Sequence, residues 1–300
     1  MEMLYIFKNR MIKLTVVCIL FMSLSIGGTT IRAENITTLD RSTWIWNPWI
    51  LLDDEVDTLK FLESKQINKV YLQIDSDIST SVYQNFIEKA AVRGIKMHAL
   101  AGESYWITEN GTEHQSQFLN WVERYQQEAT DAQRFFGIHL DIEPYDTNIW
   151  STKQSLAIQS YQQLIIQANK KAQVLNLPLE LDIPFWYDEI KYNTEYGKGI
   201  LSEWLIKHSD GVTIMAYRDT SNEIIKIVKN EIEYAKRINK PVVIGVETMK
   251  SAEGDNISFS EEGEIYMNKQ LKKIQKYYSK NPSYKGIAIH HFDSWKGMQP

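Results

Sequence analysis

The chain has 300 residues, of which 43% are hydrophobic and 24% are charged. This balance is typical of a folded globular protein and excludes an intrinsically disordered chain. The length suffices for one large domain or two small ones, and the formal net charge of −5 gives no basic surface of the kind that a nucleic-acid-binding protein needs.

The first 33 residues have the layout of a secretory signal peptide. Three basic side chains within the first 13 residues precede an apolar run from Leu14 to Ile26, and small residues follow up to Ala33, a suitable cleavage position. The run is short for a membrane-spanning anchor, which is the alternative interpretation. We therefore predict a signal peptide over residues 1–33, a single domain over residues 34–300, and a secreted protein without stable membrane insertion.

Cys18, within the apolar run, is the only cysteine of the chain. A processed chain would therefore have no disulfide and no thiol nucleophile. Cleavage would also remove four basic side chains and one acidic side chain, which leaves a net charge of −8. Cysteine-dependent catalysis is excluded for such a chain.

After residue 40, strand-like and helix-like segments alternate without an obvious linker or internal repeat. The predicted strands are Thr43–Asn47, Lys69–Asp75, Lys96–Ala101, Phe136–Glu143, Glu180–Phe185, Gly211–Ala216, Pro241–Glu247 and Gly286–His291. Amphipathic segments between them predict helices at about 54–66, 80–93, 114–130, 152–174, 198–208, 221–238 and 262–279.

Eight strand–helix units over roughly 250 residues are typical of a (β/α)8 TIM barrel, an α/β fold. A doubly wound open sheet is the alternative, but such sheets usually have fewer strands, and no Gly-rich phosphate loop follows the first strand here. Only nine residues follow His291, so we expect the eighth helix to be short or absent.

The fourth predicted strand, Phe136–Glu143, contains the most informative pattern. Apolar and polar residues alternate along it, so His139, Asp141 and Glu143 share one face. Two carboxylates on one face push the pKa of one of them upward, which is what a general acid needs at neutral pH. Pro144 ends the strand and places Glu143 at its carboxyl-terminal tip, where TIM barrels carry their active sites.

Aromatic and carboxylate side chains also gather at the other predicted strand tips, whereas the opposite strand ends are ordinary polar turns. Aromatic rings stack on the apolar faces of sugars, and carboxylates bind hydroxyl groups. The alternative for each aromatic residue is simple packing over the barrel. We predict a carbohydrate-binding mouth whose substrate contacts include Trp46, Gln73, Trp106, Tyr145, Trp186, Asp219, Glu247, His291 and Trp295.

Histidines and carboxylates at the strand tips, such as His139, His290 and Asp75, are also possible metal ligands. However, the sequence contains no compact ligand motif of the H-E-x-x-H kind. We therefore predict no metal and no cofactor, and we interpret His139 as a packed, hydrogen-bonded residue.

The segment Phe136–Glu143 resembles the D-x-x-D-x-D-x-E motif of glycoside hydrolase family 18, the chitinases and endo-β-N-acetylglucosaminidases. Glu143 matches the final Glu of that motif, and Asp141 matches the Asp two residues before it. The two earlier Asp positions hold Phe136 and His139. The segment therefore resembles the motif of a divergent member of glycoside hydrolase family 18.

Two further segments extend the resemblance. Met215-Ala216-Tyr217 resembles the M-x-Y of the family's sixth strand, although Arg218 displaces the following Asp to Asp219. Trp295 follows the eighth strand, near the place where the family keeps a Trp under the bound sugar.

The resemblance implies a secreted hydrolase that acts on N-acetylhexosamine-containing glycans of a cell envelope or an exopolysaccharide. In the mechanism of the family, Glu143 would protonate the leaving oxygen, and the substrate's own N-acetyl oxygen would attack the anomeric carbon. Asp141 would orient the acetamide, and Tyr217 would hydrogen-bond its carbonyl.

Two other functions remain compatible with the sequence. Glu143 on strand four and Glu247 on strand seven also resemble the acid/base and nucleophile of a large clan of retaining glycosidases, although Ile142 stands where that clan usually has Asn. The third interpretation is a barrel that binds cell-envelope glycans without cleaving them.

Overall fold

In the computed structural model, residues 39–300 are described, and the predicted signal peptide lies outside this range. Eight parallel strands close into a barrel, each strand paired with the next along the chain and the last paired with the first. The barrel strands are β1 (Asp40–Ile45), β2 (Lys69–Gln73), β3 (Lys96–Ala101), β4 (Gly137–Leu140), β5 (Leu179–Pro184), β6 (Gly211–Met215), β7 (Val242–Glu247) and β8 (Tyr284–His290).

Helices surround the barrel and bury their apolar faces against the outer side of the strands. They are α1 (Ile50–Asp53), α2 (Glu55–Ser64), α3 (Thr80–Val92), α4 (Thr112–Glu128), α5 (Asn148–Thr152), α6 (Gln154–Leu175), α7 (Leu201–His208), α8 (Ser221–Ile227), α9 (Lys229–Ile238), α10 (Gly263–Tyr278) and α11 (Phe292–Lys296). No helix between residues 39 and 300 is long and apolar enough to cross a membrane.

Local sequence signals explain where several helices begin and end. The Ser79 side chain accepts a hydrogen bond from the backbone N–H of Ser81 (3.4 Å) at the start of α3, as expected for an N-cap serine. Asn176 and Asn239 follow α6 and α9 with φ of 54° and 56°, a left-handed conformation that Asn tolerates better than most residues. These positions send the chain back toward strands β5 and β7.

The structure confirms the predicted (β/α)8 TIM barrel: all eight predicted strands occur in a closed barrel. The eighth helix is short, as expected, because α11 has only five residues. A two-stranded hairpin, Lys191–Thr194 paired with Gly197–Ile200, was not predicted. Its residues are exposed or half-buried throughout, so it lacks the apolar face that marks a strand in a sequence.

The amino-terminal half of the barrel interior contains a buried cation. Lys69 of β2 is 7% exposed, and its Nζ lies 2.6 Å from Asp40 Oδ2 and 3.0 Å from Glu180 Oε1. Although burial opposes it, the nearby Lys69 charge helps to hold the pKa of Glu180 well below its usual range. Two acidic partners therefore compensate one buried ammonium group.

A second charged layer lies above the first. His139 Nε2 lies 2.8 Å from Asp182 Oδ2 and His139 Nδ1 lies 3.8 Å from Glu180 Oε2, so the two layers are linked. The His139 ring also stacks on Tyr71, with 3.7 Å between ring centroids. We name Lys69, Glu180, His139 and Asp182 the buried ion column. His139 is thus packed, as the sequence predicted, and it lies against two carboxylates, but neither of its ring nitrogens forms a hydrogen bond with the described residues.

Glu231 of α9 is a buried carboxyl group in the helical layer, 1% exposed, and neither carboxyl oxygen has a hydrogen-bond partner among the described residues. Burial raises the pKa of Glu231 from 4.5 to about 8. The folded protein then holds a proton that the unfolded chain releases, so stability is lost as the pH rises from about 4.5 through 8.

We expect Glu231→Gln to raise the melting temperature at about pH 9, where the wild type must bury a charge, and to change it much less at about pH 5. Each kcal/mol recovered should raise the melting temperature by about 2–4 °C. Thermal unfolding at both pH values measures this, with Glu233→Gln on the exposed face of the same helix as the control. An equal effect at both pH values would contradict the prediction.

Candidate functional site

A cavity of about 350 Å³ opens at the carboxyl-terminal ends of the barrel strands. Its walls include Trp46 after β1, Asp141 and Glu143 after β4, Tyr217 after β6, and His290 at the end of β8. We name this space the central cavity. It brings together all three residues that the sequence predicted to be catalytic.

A second cavity of about 320 Å³ adjoins the central cavity and shares Glu143 and Tyr217 with it. Its walls include the predicted substrate contacts Tyr145 and Trp186, whose ring centroids are 5.2 Å apart in an edge-to-face arrangement. Arg218 also lines it. An aromatic corner therefore stands beside Glu143.

A third cavity of about 350 Å³ lies on the β2–β3 side and shares Gly102 and Glu103 with the central cavity. The predicted contacts Gln73 and Trp106 line it. Gln73 Oε1 is buried and has no hydrogen-bond partner among the described residues. Trp106 is only 4% exposed, so it offers little ring surface for stacking.

The surroundings of Glu143 shift its pKa upward. It is half-buried at the cavity wall, and the Tyr145 hydroxyl donates a hydrogen bond to its Oε1. Burial raises the pKa of Glu143, the Tyr145 bond lowers it, and the charges of Asp146 and Asp182 raise it, with a net upward shift. The shift favours the protonated form that a general acid needs.

Asp141 is held at the tip of β4 by a very close approach of β3. Its backbone N–H donates to the Ala101 carbonyl (3.1 Å), and a Cβ atom at Gly102 would lie 1.9 Å from the Asp141 carbonyl oxygen. Only glycine therefore fits at position 102. Burial, followed by the charges of Asp182 and Glu143, raises the pKa of Asp141 well above its usual range.

Tyr217, after β6, lines the central cavity. Its ring centroid lies 5.8 Å from that of His290. Burial raises the pKa of Tyr217 well above its usual range, so the phenol keeps its proton. Tyr217 can therefore donate a hydrogen bond to a ligand oxygen in the cavity.

A chain of hydrogen bonds fixes the opposite wall. Glu247 Oε2 lies 2.8 Å from His290 Nδ1, and its Oε1 accepts from the backbone N–H groups of Thr248 and Met249 (2.7 Å each). Trp46 Nε1 donates to His290 Nε2 (2.9 Å), which requires a neutral imidazole that donates from Nδ1 to Glu247. Glu247 is 6% exposed and positions His290 and Trp46 rather than lining the central cavity.

The structure does not bring four predicted substrate contacts to these cavities: Asp219, Glu247, His291 and Trp295. Trp295 is 1% exposed and packs edge-to-face on Phe61 at 5.4 Å, because α11 turns the chain back onto the outside of the barrel. His291 Nδ1 lies 3.7 Å from Asp293 Oδ2, and Asp219 faces Glu262. Together with the pairing of Glu247 to His290, this corrects the positions expected for the four side chains.

Two inward-facing residues that matter at the site were not among the predicted catalytic or substrate-binding residues. Asp182 is in phase with Glu180 on β5, and His290 is in phase with Ala288 on β8. The alternation that identified Asp141 could have identified both of them. Choosing His291 instead of His290 was a one-residue error, which sends a strand side chain to the opposite face.

The histidines and carboxylates of the site are paired with one another. Within residues 39–300, no group of three or more His, Cys, Asp or Glu side chains is arranged to hold a metal ion. His139 and His290 each lie 2.8 Å from a carboxylate, that of Asp182 and that of Glu247 respectively. What these side chains offer directly is proton transfer and hydrogen bonding.

Comparisons with known proteins find similarity in structure but not in sequence. No family model matches the chain, and no curated protein matches it either. A chitinase from Bacteroides thetaiotaomicron superposes with a TM-score of 0.54 at 10% identity, covering 86% of this chain and 90% of that one. A family 18 chitinase from Cycas revoluta in complex with (GlcNAc)3 gives 0.52 at 13% identity, covering 86% and 96%.

An exo-β-1,4-mannosidase from Opitutaceae bacterium strain TAV5 has a TM-score of 0.56 at 11% identity, but the match covers 85% of this chain and only 52% of the mannosidase. The closed eight-stranded barrel and the position of Glu143 at the tip of β4 agree with the resemblance noted in the sequence. The protein therefore has a TIM-barrel fold similar to that of the glycoside hydrolase family 18 chitinases, at a sequence identity of 10–13% to the two chitinases compared.

Proposed function

We propose that the protein is an exported glycoside hydrolase that cleaves N-acetylhexosamine-containing glycans with the help of the substrate's acetamide. The observation that carries this proposal is the meeting of Asp141, Glu143 and Tyr217 on the walls of one cavity. The pKa values of Asp141 and Glu143 are both shifted upward. Such shifts suit Glu143 as the proton donor and Asp141 as an uncharged neighbour. The fold likeness to a chitinase solved with (GlcNAc)3 is consistent with a glycan ligand.

In the proposed reaction, Glu143 gives its proton to the glycosidic oxygen as the bond from that oxygen to the anomeric carbon breaks. The acetamide carbonyl oxygen of the same sugar forms a new bond to the anomeric carbon, so no enzyme nucleophile is needed. Asp141 holds the acetamide N–H, and Tyr217 donates to the acetamide oxygen. Water then opens the cyclic intermediate and returns a proton to Glu143.

Aromatic side chains supply the binding surface for the sugar rings. Trp46 lines the central cavity, and its ring is fixed by the bond to His290. Tyr145 and Trp186 form the corner of the adjoining cavity. Rings held by hydrogen bonds or by packing lose little entropy when a sugar stacks on them.

A retaining glycosidase that uses Glu247 as its nucleophile is the second candidate, and the mannosidase fold likeness favours it. Against it, both Glu247 oxygens are already engaged by His290 and by two backbone N–H groups. A nucleophile needs a free oxygen aimed at the anomeric carbon. A barrel that binds glycans without cleaving them is the third candidate.

Replacing the general acid, Glu143, should slow hydrolysis strongly without unfolding the protein. We expect Glu143→Gln to reduce the cleavage rate by about 10²–10⁴-fold while binding of chitin oligosaccharides persists. Mass spectrometry of the products and calorimetric titration measure the two effects, with Glu189→Gln, an exposed residue after β5, as the control. Full activity of the Glu143 variant would reject the assignment. Binding by a wild type that never cleaves would favour the third candidate.

The alkaline limb of the pH–rate profile should report Glu143, which must be protonated to act. Because the Tyr145 hydrogen bond stabilises ionised Glu143, Tyr145→Phe should raise the pKa of Glu143 and move that limb to higher pH, by about half a unit or more. Rates measured across pH test the shift, and Tyr277→Phe on the exposed face of α10 is the control. A limb that moves to lower pH would contradict the role given to Tyr145.

The two catalytic mechanisms make different demands on Glu247 and Asp141. If the acetamide is the nucleophile, Asp141→Asn should reduce the rate more than Glu247→Gln does. A thiazoline that mimics the cyclic intermediate should then inhibit the enzyme, because such analogues bind tightly. A covalent sugar on Glu247, detected by mass spectrometry after treatment with an activated 2-fluoro glycoside, would instead establish the retaining mechanism.

A further inference from the structure

On β4, His139 occupies a position where the D-x-x-D-x-D-x-E motif has an Asp. The neighbouring strand β5 carries a carboxylate, Asp182, near this position instead. In the β4–β5 ladder, His139 is paired with Glu180 and Leu140 with Leu181. Continuing this register places Asp141 beside Asp182. Side chains at such paired positions on adjacent parallel strands point the same way, about 5 Å apart at the backbone.

Asp182 is held from two sides. It is 2% exposed, and its Oδ2 accepts a hydrogen bond from Trp44 Nε1 (2.8 Å) and lies 2.8 Å from His139 Nε2. Burial lowers the pKa of His139, but the charges of Asp182 and Glu180 outweigh it and the net shift is upward. The upward shift favours the protonated imidazole, and at 2.8 Å its charge lies directly against the Asp182 carboxylate.

The two facing carboxyl groups each have an oxygen without a partner. Asp141 Oδ1 and Asp182 Oδ1 are both buried, and neither has a hydrogen-bond partner among the described residues. Two carboxyl groups that interact at neighbouring positions of paired strands resist double ionisation and keep one proton between them. Since the positive charge of His139 adjoins Asp182, the proton belongs on Asp141.

Asp141 is otherwise surrounded by acidic and phenolic groups. The carboxyl groups that act on it are Asp182 of β5, Glu143 and Asp146 after β4, and Glu103 after β3. The phenols that face it are Tyr145, Tyr161, Tyr187 and Tyr217. The imidazoles nearby, those of His139 and His290, are each paired with another carboxylate. The groups that act most strongly on Asp141 all raise its pKa and so favour its proton-bearing form.

We propose that Asp182 is the positioning residue of Asp141: its carboxylate, fixed by His139 and Trp44, keeps a proton on Asp141 and so presents a neutral carboxyl group to the substrate acetamide. This proposal rests on the proposed function for its role in catalysis. The Asp141–Asp182 pair carries one negative charge in total. That charge lies beneath the acetamide when it becomes positive during ring closure, and offsets it without a change of protonation.

The first test is Asp182→Asn, which keeps the shape and the Trp44 contact but removes the charge. Without Asp182, the negative charge of the pair passes to Asp141, which interacts directly with Glu143. The pKa of Glu143 should therefore rise, and the alkaline limb of the pH–rate profile should move to higher pH by about half a unit or more. We expect kcat to fall about tenfold or more with KM changed about twofold at most. Asp188→Asn, whose side chain bonds Asn230 away from the mouth, is the matched control.

A purely structural role for Asp182 would lower the rate at every pH without moving the limb, and that result would overturn the proposal. The second test needs neither activity nor a folded Asp182 variant. Infrared difference spectra of wild type minus Asp141→Asn at neutral pH should contain the C=O stretch of a protonated carboxylic acid. A carboxylate signal in its place would overturn the proposal even if the enzyme cleaves glycans. The acid signal in a protein that cleaves none would sustain the proton placement and reject the proposed function.

Discussion

Charge buried inside a closed barrel has to be paired, and this constraint organises the interior of the protein. The buried ion column starts with Lys69 between Asp40 and Glu180 and continues through His139 to Asp182. Removing one partner of a buried ion pair typically costs about 3–5 kcal/mol. Each side chain of the column is therefore fixed in place by the next one, from the amino-terminal end of the barrel up to its mouth.

The column ends directly below the site, and this is why the site has its properties. Asp182 is the last charged group of the column, and Asp141 is the first side chain above it that faces the central cavity. The carboxyl group of Asp141 lies next to the fixed negative charge of Asp182, in the low dielectric of the barrel. Both effects favour the protonated form of Asp141. The electrostatics of the mouth are thus an extension of the packing of the interior.

The sequence predicted what depends on periodicity along a strand and missed what depends on lateral register. The eight strands and the shared face of Asp141 and Glu143 follow from alternation within a single segment. The pairing of His139 with Asp182, and of Glu247 with His290, joins different strands, and a single sequence carries no signal for which positions become neighbours. Trp295 was misplaced for a related reason, since the direction in which α11 leaves β8 depends on the packing against Phe61.

The contacts across the barrel interior also bear on how the chain reaches this structure. Lys69 and Glu180 are 111 positions apart, Trp44 and Asp182 are 138 apart, and Tyr71 and Thr213 are 142 apart. A nascent chain ending before β5 already contains Lys69 and His139 but neither of their acidic partners on that strand. The first half of the barrel consequently cannot settle into its final form while it emerges from the ribosome. Contacts so distant in sequence make assembly slow, because loop closure has to precede them, and they tie both halves of the barrel into one cooperative unit.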